Sequence, residues 1–228
     1  MVCCQITKQI EKIASVGLID YGRGNLRSVE KALERVGLRV QRVLEGGAFE
    51  SFDALILPGV GAFGDAMQHL HAKNFALPIR NWLEQGRPFL GICLGYQLLF
   101  QRSEESPDVP GIGFLKGAVV RFPESVHKIP HIGWNEVIPQ NNALFKNMAD
   151  RPFFYHVHSY YPEAVENKYN ACETEYNGVR FTSGISHGAI HAFQFHPEKS
   201  QENGRLLLEA FARQLIKDVK HSDSVHCK

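Results

Sequence analysis

Pro88-Phe89-Leu90-Gly91-Ile92-Cys93-Leu94-Gly95-Tyr96-Gln97 reads as a buried strand that turns sharply at a cysteine into a helix. Gly91-Ile92-Cys93-Leu94-Gly95 is the nucleophile-elbow pattern Gly-x-Ser-x-Gly with a thiol in place of the hydroxyl. A non-glycine residue in so tight a turn needs neighbours without Cβ atoms, and chains keep such strain mostly where function requires it. A cysteine closing an apolar strand is ordinarily a small buried hydrophobe. The two flanking glycines turn that reading toward chemistry, because packing alone does not need them. The start of the following helix offers unpaired N–H groups and a partial positive charge, both of which favour an anionic sulfur.

A second run, Phe193-Gln194-Phe195-His196-Pro197-Glu198-Lys199, supplies what a thiol nucleophile lacks. His196 can serve as base and Glu198 can orient it. If the segment is extended, residues two apart share a side, so the two can form one relay despite Pro197 between them. Alone, His-Pro-Glu would pass for a surface turn. Paired with the elbow, and with each motif ending an apolar run, it completes a Cys93-His196-Glu198 triad.

Outward from the elbow, strands and helices alternate. Val16–Asp20 reads as the first strand, and Asn25 as N-cap of a helix carrying Leu26, Val29, Leu33 and Val36 at helical spacing up to Gly37. Strands follow at Leu38–Leu44 and Asp53–Leu57, then helices at Asp65–Ala72 and Leu77–Gln85, and the elbow helix is expected over Leu94–Gln101. This order predicts an α/β fold with a mostly parallel central sheet, helices on both faces, and functional loops at the carboxyl ends of the strands. Beyond Lys116 short strands with turn signals (Ala118–Phe122, Trp134–Ile138, Phe153–Ser159, Ala171–Glu175, Phe181–Ser183, with a turn at Asn177-Gly178) predict an antiparallel flank. A last strand, Ala189–Phe195, delivers His196, and Gln201–Val219 reads as a closing amphipathic helix.

Attack on an amide carbon places charge on oxygen, and the loop Pro58–Gly64 is suited to receive it. Gly59 and Gly61 let a peptide at Val60 turn toward that oxygen, with the N–H of Leu94 as second donor. The loop lacks both the Walker lysine and the full GxGxxG pattern of a phosphate site.

Composition bounds the alternatives. The 228 residues carry 25 basic and 24 acidic side chains, which leaves no electrostatic footprint for nucleic acid or an anionic membrane. Cys3, Cys4, Cys93, Cys172 and Cys227 form neither an even disulfide framework nor a CxxC pair, so a cytoplasmic protein is expected. No run is apolar for long enough to span a bilayer. Among 11 histidines only His156 and His158 form a ligand-like pair, and with no third ligand evident beside them in the sequence no metal or other cofactor is expected. Residues 1–15 read as an N-terminal extension of no evident function, 16–219 as the functional domain, and 220–228 as a tail.

Six motifs together resemble one family, the class I glutamine amidotransferases: IDYGRGNLRSV (19–29), LPGVGAFGDAM (57–67), GICLGYQLLF (91–100), PHIGWNEV (130–137), HVHSYY (156–161) and FQFHPEKS (193–200). The resemblance covers about Val16 to Leu215 and implies a flavodoxin-like α/β fold. It further implies that Cys93 attacks the side-chain amide of L-glutamine, that His196 acts as base and then acid, and that Glu198 orients it. Val60, Gly61 and Leu94 would form the oxyanion hole. Gly59, Gln97, Glu105, Ser159 and Tyr160 match substrate-binding positions. The first loop, Gly133-Trp134-Asn135 and His158-Ser159-Tyr160 are similar to the branch that docks as a heterodimer on a (β/α)8-barrel cyclase, feeding it ammonia for histidine biosynthesis. Asn25, Trp134, Tyr155 and Lys199 match that branch's partner surface. The competing readings are a paralogue supplying ammonia for amidination of a surface sugar, a stand-alone γ-glutamyl hydrolase and a non-catalytic interaction protein. Tyr96 departs from the family, which often has methionine there, and could narrow or polarise the site near the partner.

Overall fold

The computed structural model describes residues 13–225 except 48, 141 and 164, and side chains up to residue 216. Strands run at β1 (Ser15–Ile19), β2 (Arg39–Val43), β3 (Ala54–Gly59), β4 (Phe89–Cys93), β5 (Phe100–Ser103), β6 (Leu115–Arg121), β7 (His131–Glu136), β8 (Ile138–Pro139), β9 (Phe153–His158), β10 (Tyr160–Glu163), β11 (Asn170–Tyr176), β12 (Val179–His187) and β13 (Ile190–Phe193). Helices are α1 (Leu26–Arg35), α2 (Phe63–Ala72), α3 (Ala76–Glu84), α4 (Leu94–Gln97) and α5 (Gln201–Val225).

The main sheet has the order β2-β1-β3-β4-β13-β12-β11-β8. Its first five strands are parallel and its last three antiparallel, the mixed architecture expected from the sequence. Strand alternation sends side chains to two separate cores. Leu55, Leu57 and Phe89 face Phe63, Met67, Leu70, Ile79 and Trp82 of α2 and α3. Ala54, Ile56, Leu90 and Ile92 face Leu26, Val29 and Leu33 of α1 and Leu207, Leu208, Phe211 and Leu215 of α5. The sheet is therefore covered on both sides, as continuous apolar strands require.

Register sets the site. In the parallel ladders Gly59 lies opposite Cys93 and Phe193 opposite Ile92, so the carboxyl ends of β3, β4 and β13 come level. The remaining strands form a three-stranded sheet, β10-β6-β5, and a two-stranded ribbon, β7-β9. The Asn177-Gly178 turn is confirmed, with both residues at positive φ (48° and 82°) as a tight β11–β12 hairpin demands.

Several local expectations are corrected. The elbow helix is a single turn, because Phe100–Ser103 pairs with β6 instead of continuing it. Asn25 occupies the N-cap position of α1, but its side chain makes no capping bond; its carbonyl receives Ser28 N and Val29 N instead. The last strand stops at Phe193, and Pro197–Lys199 is a 3-10 turn. Helix α5 continues past the expected end, to Val225. Most of the expected N-terminal extension, along with Cys3, Cys4 and Cys227, lies outside the described residues.

Candidate active site

Cys93 closes β4 at φ 54°, the strained conformation that the flanking glycines foretold. The glycines are required sterically: a Cβ on Gly95 would lie 1.8 Å from the Leu57 carbonyl oxygen, and one on Gly91 would lie 2.9 Å from the Ala192 Cβ. Gly59 is similarly held, since a Cβ there would meet the Tyr21 hydroxyl at 2.7 Å and the Leu94 Cβ at 2.9 Å.

His196 and Glu198 are brought together by the 3-10 turn, not by strand alternation, with Nδ1 and Oε1 2.8 Å apart and both side chains 2% exposed. Burial pulls the imidazolium down, but the Cys93 sulfur and the Glu198 carboxylate outweigh it and push His196 up to about 10. The Cys93 sulfur and the Glu198 carboxylate thus favour the protonated form of His196. With Nδ1 committed to Glu198, Nε2 is buried without a protein hydrogen-bond partner and remains available for reacting atoms.

In front of the sulfur lies a cavity of about 410 Å³. Its wall contains Cys93, Val60, Gly61, Leu94, Gln97, Glu105, Ser159, Tyr160 and Lys199, which unites most of the residues expected at the site; Pro130, Val157 and His158 complete it. Gly59 does not line the cavity; it packs against Leu94, which does. Gly61 has φ 100°, and a Cβ there would meet nothing within 4 Å, so its glycine is needed for conformation and not for space. Glu105 is tied to the same loop, accepting a hydrogen bond from Phe63 N at 2.7 Å. Trp134 and Tyr155 lie outside the cavity, on the outward face of the β7–β9 ribbon with Ile132 and Phe153. Asn25 is exposed on the β1–α1 loop, apart from the cavity.

Two expectations fail here. Tyr96 does not border the cavity: it is fully buried, its hydroxyl donates to the Thr182 carbonyl at 3.4 Å, and its ring packs edge-on against Phe100. The histidine pair does have a third member, because the ribbon brings His131 to His156 and His158, with ligand atoms within 4.8 Å of one another. The hydrogen bonds nevertheless assign protons that oppose a metal. His158 Nδ1 donates to the Tyr160 carbonyl (2.8 Å), leaving a lone pair on Nε2. Asn135 Nδ2 donates to the Glu175 carbonyl (2.9 Å) and to His131 Nε2 (3.3 Å), so His131 carries its proton on Nδ1 and presents it to His158. His156 Nδ1 likewise faces His158 Nε2 at 3.3 Å. At the cluster's centre the His158 lone pair thus faces the His131 N–H, with His156 Nδ1 also turned toward it. Burial keeps the rings neutral, with His131 pushed down to about 4 and His158 to about 3.

Gln194 and His131 were missed in the sequence. Gln194 is fully buried and stands between Gln97 and the sulfur. A glutamine inside an apolar run shows that an amide is buried there, but not where it points.

Residues 17–215 match the family described as Glutamine amidotransferase class-I. The chain is 48% identical over 202 residues to the imidazole glycerol phosphate synthase subunit HisH of Aquifex aeolicus, covering 88% of this chain and 97% of that protein. It is 42% identical over 204 residues to the same subunit of Sulfurimonas denitrificans, covering 87% and 97%. Among solved structures it is similar to PurLQS from Thermotoga maritima, with TM-score 0.72 and 20% identity over 89% of this chain and 99% of that one. A glutamine amidotransferase from the same organism gives TM-score 0.61 and 18% identity over 94% and 93%. At such identities the structural likenesses speak for the fold alone.

Proposed function

The chain belongs to the class I glutamine amidotransferases and, within them, to the HisH subunits of imidazole glycerol phosphate synthase, and from that membership we propose how its residues perform the reaction. The enzyme hydrolyses L-glutamine to glutamate and ammonia, the ammonia serving histidine biosynthesis. Cys93 is the nucleophile. Its anionic sulfur attacks the side-chain amide carbon of glutamine, and the charge that develops on oxygen is received by N–H groups of the Val60–Gly61 loop and of Leu94. As the C–N bond breaks, protonated His196 delivers its proton to the departing nitrogen, and ammonia leaves a glutamyl thioester. His196, now neutral, takes a proton from water as the water attacks, and the returning electron pair restores the sulfur. Glu198 holds the ring in the tautomer that both steps need. His196 thus serves as acid toward the departing nitrogen and as base toward the attacking water. Gln97, Glu105, Ser159 and Tyr160 form the glutamine-binding wall.

The partner, on this reading, is a (β/α)8-barrel cyclase forming a heterodimer with the chain. Support comes from exposed apolar side chains: Val60 on the cavity wall, and Ile132, Trp134 and Phe153 on the outward face of the β7–β9 ribbon, leave 39 to 49% of their surfaces exposed. Such an apolar group beside a reactive cavity suits a protein partner that would enclose the ammonia. Lys199 stands on the cavity wall, its Nζ 5.7 Å from the Tyr155 ring centre. The ribbon is also bonded to the triad: His196 N donates to the Tyr155 carbonyl (2.9 Å), and Tyr155 N donates to Ser200 Oγ (2.9 Å), which donates to the His196 carbonyl (2.7 Å). Partner contact at Trp134 and Tyr155 therefore has a short route to the catalytic base. Asn25 extends the proposed contact surface.

The observation that carries the function is the strained Cys93 on the wall of a cavity of about 410 Å³, backed by the buried His196–Glu198 pair at 2.8 Å. Glutamate release measured with the cyclase present should vanish in Cys93→Ala and fall nearly as far in His196→Ala, since triad members act as a unit. Undiminished turnover in Cys93→Ala would refute the assignment.

A further inference from the structure

The cluster of histidines behind the cavity belongs to a longer array that ends on the nucleophile. Gln97 Nε2 donates to the Tyr160 carbonyl and to Gln194 Oε1, each at 3.0 Å. Gln194 Nε2 in turn lies 3.8 Å from the Cys93 sulfur, within reach of a weak N–H···S bond. From the other side, Asn135 fixes His131, His131 donates to His158 at 3.2 Å, and His158 donates to the same Tyr160 carbonyl. Two rows of hydrogen bonds thus converge on one oxygen, which has two lone pairs and uses both.

The direction of each bond follows from its neighbours. The Tyr160 oxygen can only accept, so Gln97 must offer its amide protons and His158 its Nδ1 proton. Because Gln97 donates to Gln194 Oε1, the other end of the Gln194 amide, its NH2, must point at the sulfur. Reversing that amide would set its oxygen against the anionic sulfur and its NH2 against the NH2 of Gln97, making both contacts repulsive. The orientation of the group facing the nucleophile is consequently set through Gln97 and Tyr160 by residues on the inner face of the ribbon.

We propose that Gln194 donates a hydrogen bond to the Cys93 sulfur and stabilises its anionic form, and that His131 and His158 are positioning residues that hold the Tyr160 carbonyl, and through it Gln97 and Gln194, in the arrangement this requires. A neutral amide suits this role, because it stabilises the anion without offering a competing proton acceptor and remains in place when the sulfur becomes a thioester. The proposal rests on the glutaminase reading only for its substrate arm, because alkylation reports on the sulfur alone.

Two measurements on the full chain separate its parts. Iodoacetamide labelling at Cys93, followed by peptide mapping at neutral pH, reads the sulfur. Gln194→Met, which keeps the bulk and loses the donor, should label about ten-fold more slowly, equivalent to about 1.4 kcal/mol at 1.36 kcal/mol per decade. Gln194→Glu, with a carboxylate facing the sulfur, should be slower still. Labelling of Gln194→Met at the parental rate would overturn the final link. The Michaelis constant for glutamine, measured in the complex with the cyclase, reads the positioning. His158→Leu should raise it about ten-fold, and His158→Asn, which retains a donor near the Tyr160 carbonyl, should recover most of that loss. Equal Michaelis constants in the parent and His158→Leu, or no recovery in His158→Asn, would overturn the positioning role. If His158→Leu fails to fold, His131→Phe takes its place: it removes the donor that orients the His158 ring and should raise the constant about three-fold, while a parental value would overturn the role. Undiminished turnover in Cys93→Ala would sink the enzyme reading and leave the labelling test of Gln194 intact.

Discussion

Cys93 combines two costs that ordinary packing would not maintain, a positive φ and a buried reactive sulfur. Left-handed backbone disfavours a side chain by about 1–2 kcal/mol, and glycine escapes that cost. Cys93→Gly should accordingly be more stable than Cys93→Ala by about 1 kcal/mol in chemical denaturation, although both are inactive; the opposite order would mean that the turn is unstrained. The buried rings give a pH signature with two arms. His131 and His158 are neutral in the fold at about 4 and about 3 but titrate near 6.5 when unfolded, so the stability they allow is present above pH 6.5 and is lost as pH falls toward 4. His196, raised to about 10, contributes stability that is full below pH 6.5 and is lost as pH rises toward 10. Thermal unfolding across pH 4 to 10 should show a decline on each side, the acid limb becoming shallower in His131→Gln and the alkaline limb in His196→Ala. The elbow was legible in the sequence because glycine spacing encodes backbone conformation directly. Gln194 and His131 were not, because their roles depend on hydrogen-bond direction across strands that are distant in the chain.

At the scale of elements, the proposed oxyanion and partner-binding roles fall on the loop after β3 and on the β7–β9 ribbon. Gly61 meets no neighbour that would clash with a Cβ, yet it holds φ 100°. Gly61→Ala should therefore fold and still label at Cys93, while turnover falls about 100-fold through loss of an oxyanion donor; unchanged turnover would remove this loop from the mechanism. The ribbon alternates with period two, His131, Asn135, His156 and His158 inward, Ile132, Trp134 and Tyr155 outward. Trp134→Ala should weaken cyclase binding by at least about 2 kcal/mol, about 30-fold in Kd, with little change in the stability of the isolated chain. Titration calorimetry with the partner would measure it, and parental affinity would exclude this face from the interface. The elbow helix was misread for a physical reason: Leu98-Leu99-Phe100 is apolar throughout and has no period to distinguish helix from strand, so the nonlocal pairing of Phe100–Ser103 with β6 decided the matter.

Across the whole molecule, the alternation of β1, α1, β2 and β3 with short turns made the parallel sheet legible, since each apolar strand needs cover on both faces. The antiparallel flank was legible as a class, from short strands and the Asn177-Gly178 turn. Its division into an extension of the main sheet, a three-stranded sheet and a ribbon was not, because register between distant strands leaves no local mark. No helix of the described residues is long and apolar enough to cross a membrane. The sheet brings the ends of β3, β4 and β13 level, and this one feature assembles the loop after β3, Cys93 and His196 from segments far apart in the chain. The central claim is that Cys93 carries the glutamyl group. It is tested most directly by mixing the chain and the proposed cyclase partner with L-glutamine, quenching in acid during turnover and mapping the adduct by mass spectrometry. A glutamyl thioester on the Cys93 peptide, accumulating in His196→Ala and absent from Cys93→Ala, is the expected result. Glutamate formation with the adduct on Cys172, or with no adduct at Cys93 in any variant, would contradict it.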